Sequence, residues 1–290
     1  MSSTTELLPA TLAWLKRNEF VESAVLFGSA VRDQSKCDRR NYWSDLDLHV
    51  VATEPSALES VDWNSALPKK EFCLQVARPA TGGVRKVTAV FASGQIDLVV
   101  VSSIALSKAA ESLLPHDSLC SITFDVPLNE MATCLHSGYR FLKGKKKWGA
   151  FYARIAKFPG VRISDFELHR MGNIFVCDLL WVLQKLDRGE IVAAQHVIHG
   201  KLVDANLRLW RELQLRRGTL LPSFGLGRRI ESLCLPHEVA LLRVNSRADR
   251  EELQHAAEQC FVALKSTMTE VAPNWFVPTP MLKLLAQWIN

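Results

Sequence analysis

Apolar positions along the chain change period twice, and those changes divide it. Glu6–Arg17 has the spacing of an amphipathic helix, with Leu7, Leu12, Trp14 and Leu15 as packing positions. Short apolar runs of strand length follow at Val21–Phe27, Asp45–Ala52 and Phe72–Val76. Val87–Ala92 and Gln95–Val101 flank Ser93-Gly94, a two-residue hairpin signal. Ile104–Leu114 returns to helix. From Pro127 onward the pattern predicts helices alone: Leu128–Leu142, a long apolar stretch at Asp165–Leu186, then Ile191–Leu213 and Ser246–Met268. In the last of these Ser246 is the expected N-cap, with Asp249 three positions on. Leu253, Ala256, Ala257, Cys260 and Leu264 form its apolar stripe. Strands followed by helices predict an α+β chain of two domains, residues 1–125 around a sheet and residues 126–290 all-helical.

Composition adds little to this picture. At 290 residues, 48% hydrophobic and 22% charged, the chain reads as globular and large enough to bury a sizeable core. The net charge of +5 is concentrated around Lys143, Lys145, Lys146 and Lys147, and is too small to demand a nucleic-acid partner. The seven cysteines are scattered and odd in number, which argues against a disulfide framework. Cys177, inside the apolar run Ile174–Leu183, reads as a core residue. The N-terminus lacks a basic segment followed by an apolar stretch, and no apolar run reaches the roughly 18 residues of a membrane span. The expectation is a soluble, cytoplasmic protein without a membrane partner, as monomer or homodimer.

The chemistry is concentrated in three short stretches. Asp45 and Asp47 stand at i and i+2 of a strand, so their side chains share one face about 6–7 Å apart while Leu46 and Leu48 point into a core. Paired carboxylates on one face make a poor core and a good cation site, with the spacing a two-ion centre needs. Asp97 interrupts the apolar run Ile96–Val101, where a lone carboxylate would be costly to bury. If its strand lies beside that of Asp45, it completes a cluster of three. Gly28-Ser29 ends the first strand and is expected to turn into a helix, letting backbone N–H groups and a hydroxyl approach an anion. Arg32, one helical turn on, adds a cation at the same place. Magnesium, held by carboxylates together with substrate phosphates, suits this set. Singly, each part has a structural reading as an ordinary turn, a strand end facing water or a satisfied carboxylate.

Together, Gly28-Ser29, Asp45-Leu46-Asp47 and Asp97 resemble the motif set of the DNA polymerase β-like nucleotidyltransferase superfamily, over about the first hundred residues. The resemblance implies a mixed, largely antiparallel sheet and two Mg²⁺ ions, with a nucleoside triphosphate as substrate. In-line attack on its α-phosphate would release pyrophosphate. It implies that Asp45 and Asp47 hold both ions, that Asp97 joins the catalytic one and helps deprotonate the acceptor hydroxyl, and that Gly28 and Ser29 hold the β- and γ-phosphates. The segment from Asp33 to Tyr42 departs from the pattern by being long and polar, with Arg39 and Arg40 as possible phosphate contacts or plain surface residues.

A helical domain of this length after the catalytic one resembles the aminoglycoside and lincosamide nucleotidyltransferases. That implies transfer of AMP from ATP to a hydroxyl of a small antibiotic-like acceptor, bound by the helical domain. On its long helix, Asp178, Trp181 and Lys185 fall on one face, where they either contact that acceptor or include an internal Asp178–Lys185 pair. Glu167, near the helix start, is a further acceptor candidate or a carboxylate suited to the helix dipole. Tyr139, Arg140, Trp148, Phe151, Tyr152 and Arg154 mix aromatic and basic character, readable as a stacking surface for nucleic acid or as a helix end with a solvated basic loop. Two alternatives stay open: a nucleotidyltransferase acting on a protein or RNA hydroxyl, and a nucleotide-binding, antitoxin-like module without turnover.

Overall fold

The computed structural model describes residues 7–31, 45–80, 84–113, 126–158, 162–219, 226–227, 230–244 and 246–287. Arg32 and the polar segment with Arg39 and Arg40 lie outside the described residues. The chain divides into two compact units, Met1–Gly160 and Val161–Asn290.

The first unit runs α1 (Leu7–Arg17), β1 (Val21–Phe27), β2 (Leu46–Ala52), α2 (Pro55–Glu59), α3 (Trp63–Ala66), β3 (Phe72–Pro79), β4 (Arg85–Phe91), β5 (Gly94–Ser102), α4 (Ser103–Leu113), α5 (Val126–Leu135), β6 (Tyr139–Lys143) and α6 (Lys145–Ile155). The strands form one sheet in the order β3-β4-β5-β2-β1-β6. Only β2 and β5 pair in parallel. The sheet is therefore mixed and largely antiparallel.

Strand alternation sorts its two faces. Leu46, Leu48, Val50, Ile96, Leu98 and Val100 point to the side covered by α1 and the Trp14–Trp63–Phe91 ring cluster. Val25, Val51 and Val101 point to the other, against Trp148, Phe151 and Tyr152 of α6 and residues of α4 and α5. His49 also lies on this second face, with Nδ1 hydrogen-bonded to the Tyr152 hydroxyl. Burial lowers the His49 pKa to about 4 and pushes the Tyr152 phenol well up, so the phenol is the donor of that bond. Trp148, Phe151 and Tyr152 of the aromatic–basic cluster are therefore core, not a stacking surface, and Lys147 pairs with Glu22 at 2.7 Å.

Two expectations are corrected by β6. The helix expected over Leu128–Leu142 stops at Leu135, and Gly138, with φ 99°, turns the chain into a strand that pairs with β1. The boundary expected near residue 125 consequently moves to residue 160, because the chain from α5 to α6 belongs to the sheet's second layer. Lys143 ties this strand in: its Nζ donates to the carbonyls of Leu15 and Asn18, both at 2.9 Å, at the C-terminal end of α1.

The second unit is all-helical among its described residues: α7 (Asp165–Asp187), α8 (Ile191–Val197), α9 (Asp204–Arg216), α10 (Ile230–Leu233), α11 (Pro236–Leu242), α12 (Arg250–Val271) and α13 (Thr279–Ala286). A π-helical turn, Ile198–Val203, joins α8 to α9. The predicted stripe of α12 is fully buried, and it meets Leu168, Phe175, Leu179, Val182 and Leu183 of α7. Its N-cap is Asp249, which accepts from the Glu252 amide at 2.9 Å, rather than Ser246. Cys177 is exposed, contrary to its core reading, since it falls on the outer line of α7; Cys260 is buried instead.

Gly172 lets α7 approach the segment after α12. A Cβ there would lie 2.6 Å from the Trp275 ring, whose Nε1 donates to Asn173 Oδ1 at 3.1 Å. Gly172→Ala should destabilise the second unit by about 1–3 kcal/mol through overpacking. A urea titration checks this, and an unchanged midpoint would show that the ring moves aside freely.

Candidate active site

Asp47 and Asp97 are register partners on the parallel pair β2–β5. Partners on adjacent strands share a face, and their backbones lie about 4.8 Å apart. The two carboxylates thus start side by side, with Asp45 two residues upstream of Asp47 at the entry to β2. Leu46 and Leu48 between and beyond them are buried on the opposite face. Asp45 and Asp47 remain partly exposed.

β1 supplies the third wall. Phe27 pairs with Asp47, so the chain leaving β1 turns directly beside that carboxylate. Gly28 has φ 75°, and a Cβ on it would sit 2.5 Å from Asp47 Oδ2. Glycine is required here twice, for the left-handed backbone and for room beside the carboxylate. The chain then makes a 3-10 turn, Gly28–Ala30, and a helix beyond it would fall outside the described residues. Among the described residues, an anion here would meet backbone amides and the Ser29 hydroxyl.

Asp97 is the most enclosed of the three, with its side chain 5% exposed. Its Oδ1 accepts from Thr88 Oγ1 at 2.6 Å and from Gln95 Nε2 at 3.1 Å, and its Oδ2 receives Lys86 Nζ at 2.6 Å. Thr88 is its register partner on β4; Lys86, two residues earlier, shares that face. Arg78, paired with Lys86 across β3–β4, donates to Thr88 Oγ1 at 3.4 Å. The sequence pattern alone did not mark Lys86, Thr88 or Arg78, and it gave Gln95 no role at the site. Among the described residues, no three His, Cys, Asp or Glu side chains gather as a metal-binding group. The donor chemistry of Asp45 and Asp47 suits a divalent cation, and the Asp47 carboxylate lies against Gly28, in the space that a Cβ would fill. Asp97 is met on both of its oxygens. Cys134 of α5 lies near Asp47; burial first, then Glu130 and Asp47, push its thiol up to about 12, so it is no nucleophile.

In the second unit, Asp178 pairs with Lys201 of the π-helical turn at 2.9 Å. The expected partner, Lys185, is engaged by Glu190 at 2.7 Å, so the internal Asp178–Lys185 pair is corrected. Trp181, 42% exposed, lies between two ammonium groups, Lys185 at 4.9 Å and Lys201 at 4.7 Å from its ring centroid. Glu167 stands eleven residues before Asp178, about 16 Å along the helix, and is held by Arg170 at 2.6 Å. The Arg170 hydrogen bond keeps its carboxyl below the usual range. Glu167 is thus separate from the Asp178–Trp181–Lys185 line. Among the described residues, no helix is long and apolar enough to cross a membrane.

No family model and no curated protein matches the chain. Among solved structures it is similar to an aminoglycoside 6-adenyltransferase from Bacillus subtilis, at 13% identity over 99% of this chain and 97% of the other, with a TM-score of 0.44. It is also similar to a nucleotidyltransferase-like protein from Exiguobacterium sibiricum, at 14% identity over 99% of this chain and 87% of the other, with a TM-score of 0.34. At those scores neither relative decides function, which must come from the chemistry of the site.

Gly28→Ala should destabilise the protein by about 1–3 kcal/mol, through left-handed strain and displacement of the Asp47 carboxylate. Chemical denaturation checks it; a variant as stable as the parent would mean that the turn and Asp47 are not in contact.

Proposed function

We propose that the chain is a metal-dependent nucleotidyltransferase, which moves AMP from ATP to a hydroxyl of a small molecule and releases pyrophosphate. The register of Asp47 against Asp97, with the Gly28 turn packed on Asp47, carries this reading. It gathers carboxylates on the two central strands with the backbone amides of the adjoining turn, the two kinds of group that a metal–triphosphate complex needs. Asp45 and Asp47 would hold Mg²⁺, with Asp97 as the third carboxylate of the site. A bound divalent cation supplies charge neutralisation on the transferring phosphoryl group. Gly28 and Ser29 would donate backbone N–H and hydroxyl hydrogen bonds to the triphosphate, with Arg32 beside them. His49, neutral and locked on Tyr152, is unavailable as the base.

The second unit would bind the acceptor along α7, through Asp178, Trp181 and Lys185, with Glu167 at a distance. Lys185 and Lys201 bracket Trp181 and are each paired with a carboxylate, Glu190 and Asp178, so this face offers an aromatic ring rimmed by balanced charges, which suits a sugar-like acceptor. Burial of Trp148, Phe151 and Tyr152 removes the stacking surface that an RNA acceptor would have used.

Mg²⁺ and ATP together should raise the melting temperature more than the sum of either alone, since each completes the other's coordination. Asp47→Asn should keep the fold and lose that synergy; undiminished synergy would remove Asp47 from the metal site. For the acceptor, a screen of labelled ATP against hydroxylated small molecules comes first. On the acceptor it identifies, Trp181→Ala should raise KM at least tenfold while leaving the KM for ATP unchanged. Equal effects on both constants would place acceptor binding elsewhere.

A further inference from the structure

The sheet face that carries Asp47 and Asp97 is packed at one end and bare at the other. Val25, Val51 and Val101 lie under residues of α4, α5 and α6. On β3 the same face leaves Leu74 49% and Val76 48% exposed, followed by exposed Arg78. Register identifies the face: Val76 pairs with Thr88 and Thr88 with Asp97, while Leu74 pairs with Val90 and Arg78 with Lys86. Direct partners share a face, so Leu74, Val76 and Val90 form one apolar patch beside the carboxylates. The solvated face of an antiparallel hairpin ordinarily turns polar, and these three residues join neither of the unit's two cores. Arg78 closes the patch. Among the described residues it makes no ion pair, and its guanidinium donates to Thr88 Oγ1 at 3.4 Å.

We propose that this patch is an acceptor subsite on the first unit. Leu74, Val76 and Val90 hold an apolar body, and Arg78 holds an anionic group at its far end. This inference rests on the nucleotidyltransferase reading and names the class of its acceptor: a hydroxylated molecule with an apolar middle and an acidic end. In-line transfer carries the argument, because the attacking oxygen and the leaving pyrophosphate lie on opposite sides of the α-phosphorus. The Gly28–Ala30 turn, which the triphosphate would use, follows β1, beyond Asp47. The acceptor then comes from the Asp97 side, where the sheet continues through β4 to β3. Two strand spacings put Val76 about 10 Å from Asp97, within the length of a small molecule. A second copy pairing on β3 is the poorer occupant. The bulge between Phe72 and Leu74 and Pro79 at the strand's end spoil that edge.

Three probes of one length separate charge from apolar contact: ω-hydroxyoctanoate, octanediol and ω-amino-octanol. The full chain is loaded with Mn²⁺ and α,β-methylene ATP, and the paramagnetic relaxation of each probe's protons gives its affinity and orientation. Hydroxyoctanoate should bind about tenfold more tightly than amino-octanol, with the diol between them. Its hydroxyl end should relax faster than its carboxylate end. Arg78→Gln should bring hydroxyoctanoate to the affinity of the diol. Leu74→Thr with Val76→Thr, which suits an exposed strand, should weaken all three probes about fivefold. Binding of the Mn²⁺–nucleotide complex should stay unchanged in both variants. Absent probe binding, equal affinities or equal relaxation of the two ends would overturn the subsite and leave the nucleotidyltransferase reading standing. Weaker nucleotide binding by Arg78→Gln would do the same by giving Arg78 to the triphosphate. So would sedimentation showing a dimer that the double threonine variant dissociates. A parent chain that binds no Mn²⁺–nucleotide complex would overturn the functional reading and this inference with it.

Discussion

Burying a carboxylate in the middle of a sheet costs several kcal/mol unless its oxygens are met, and the Asp97 side chain is met on both. Much of the first unit depends on how that is done. The donors come from β4 and from the strand's own Gln95, so the hairpin must keep one register. A slip by one residue would turn Thr88 and Lys86 to the opposite face and leave the carboxylate with Gln95 alone of its three donors.

The neighbouring constraint is direction. β2 and β5 run parallel in a sheet whose other pairs are antiparallel, which requires a long connection between them. The chain uses that connection for α2, α3, β3 and β4, and β4 brings the lysine and threonine back to the far side of β5. The result is a row across the sheet: Arg78, Lys86 and Thr88 on one flank, Asp97 and Asp47 in the middle, Gly28 on the other. Positive and negative charge are segregated along it, which suits a ligand that is itself a cation complexed with a polyanion.

Much of this was legible in the sequence. Alternation around Asp45-Leu46-Asp47 told which residues share a face, and the apolar setting of Asp97 told that something must satisfy it. The partners were missed because hairpin register depends on the turn. Reading Ser93-Gly94 as the loop sets Asp97 opposite Val90, whereas the structure turns at Ala92-Ser93 and sets it opposite Thr88. β6 was missed for a different reason. Five residues after a helix have no period of their own, and it is the edge of β1 and the α1 carbonyls met by Lys143 that make them a strand. On α7, a polar line inside an apolar helix announced that Asp178 had a partner; local spacing suggested Lys185, while the partner came from the π-helical turn.

The position of β6 in the chain also bears on synthesis. β1 is made before the other strands, yet one of its edges is closed only by residues 139–143, after β3, β4 and β5 have been added. On the ribosome, the nascent sheet therefore carries an open edge of a very apolar strand for more than a hundred residues of elongation. The Lys143 clasp on α1 acts late, sealing the layer only once this strand emerges, and the helical unit is translated after that seal is available.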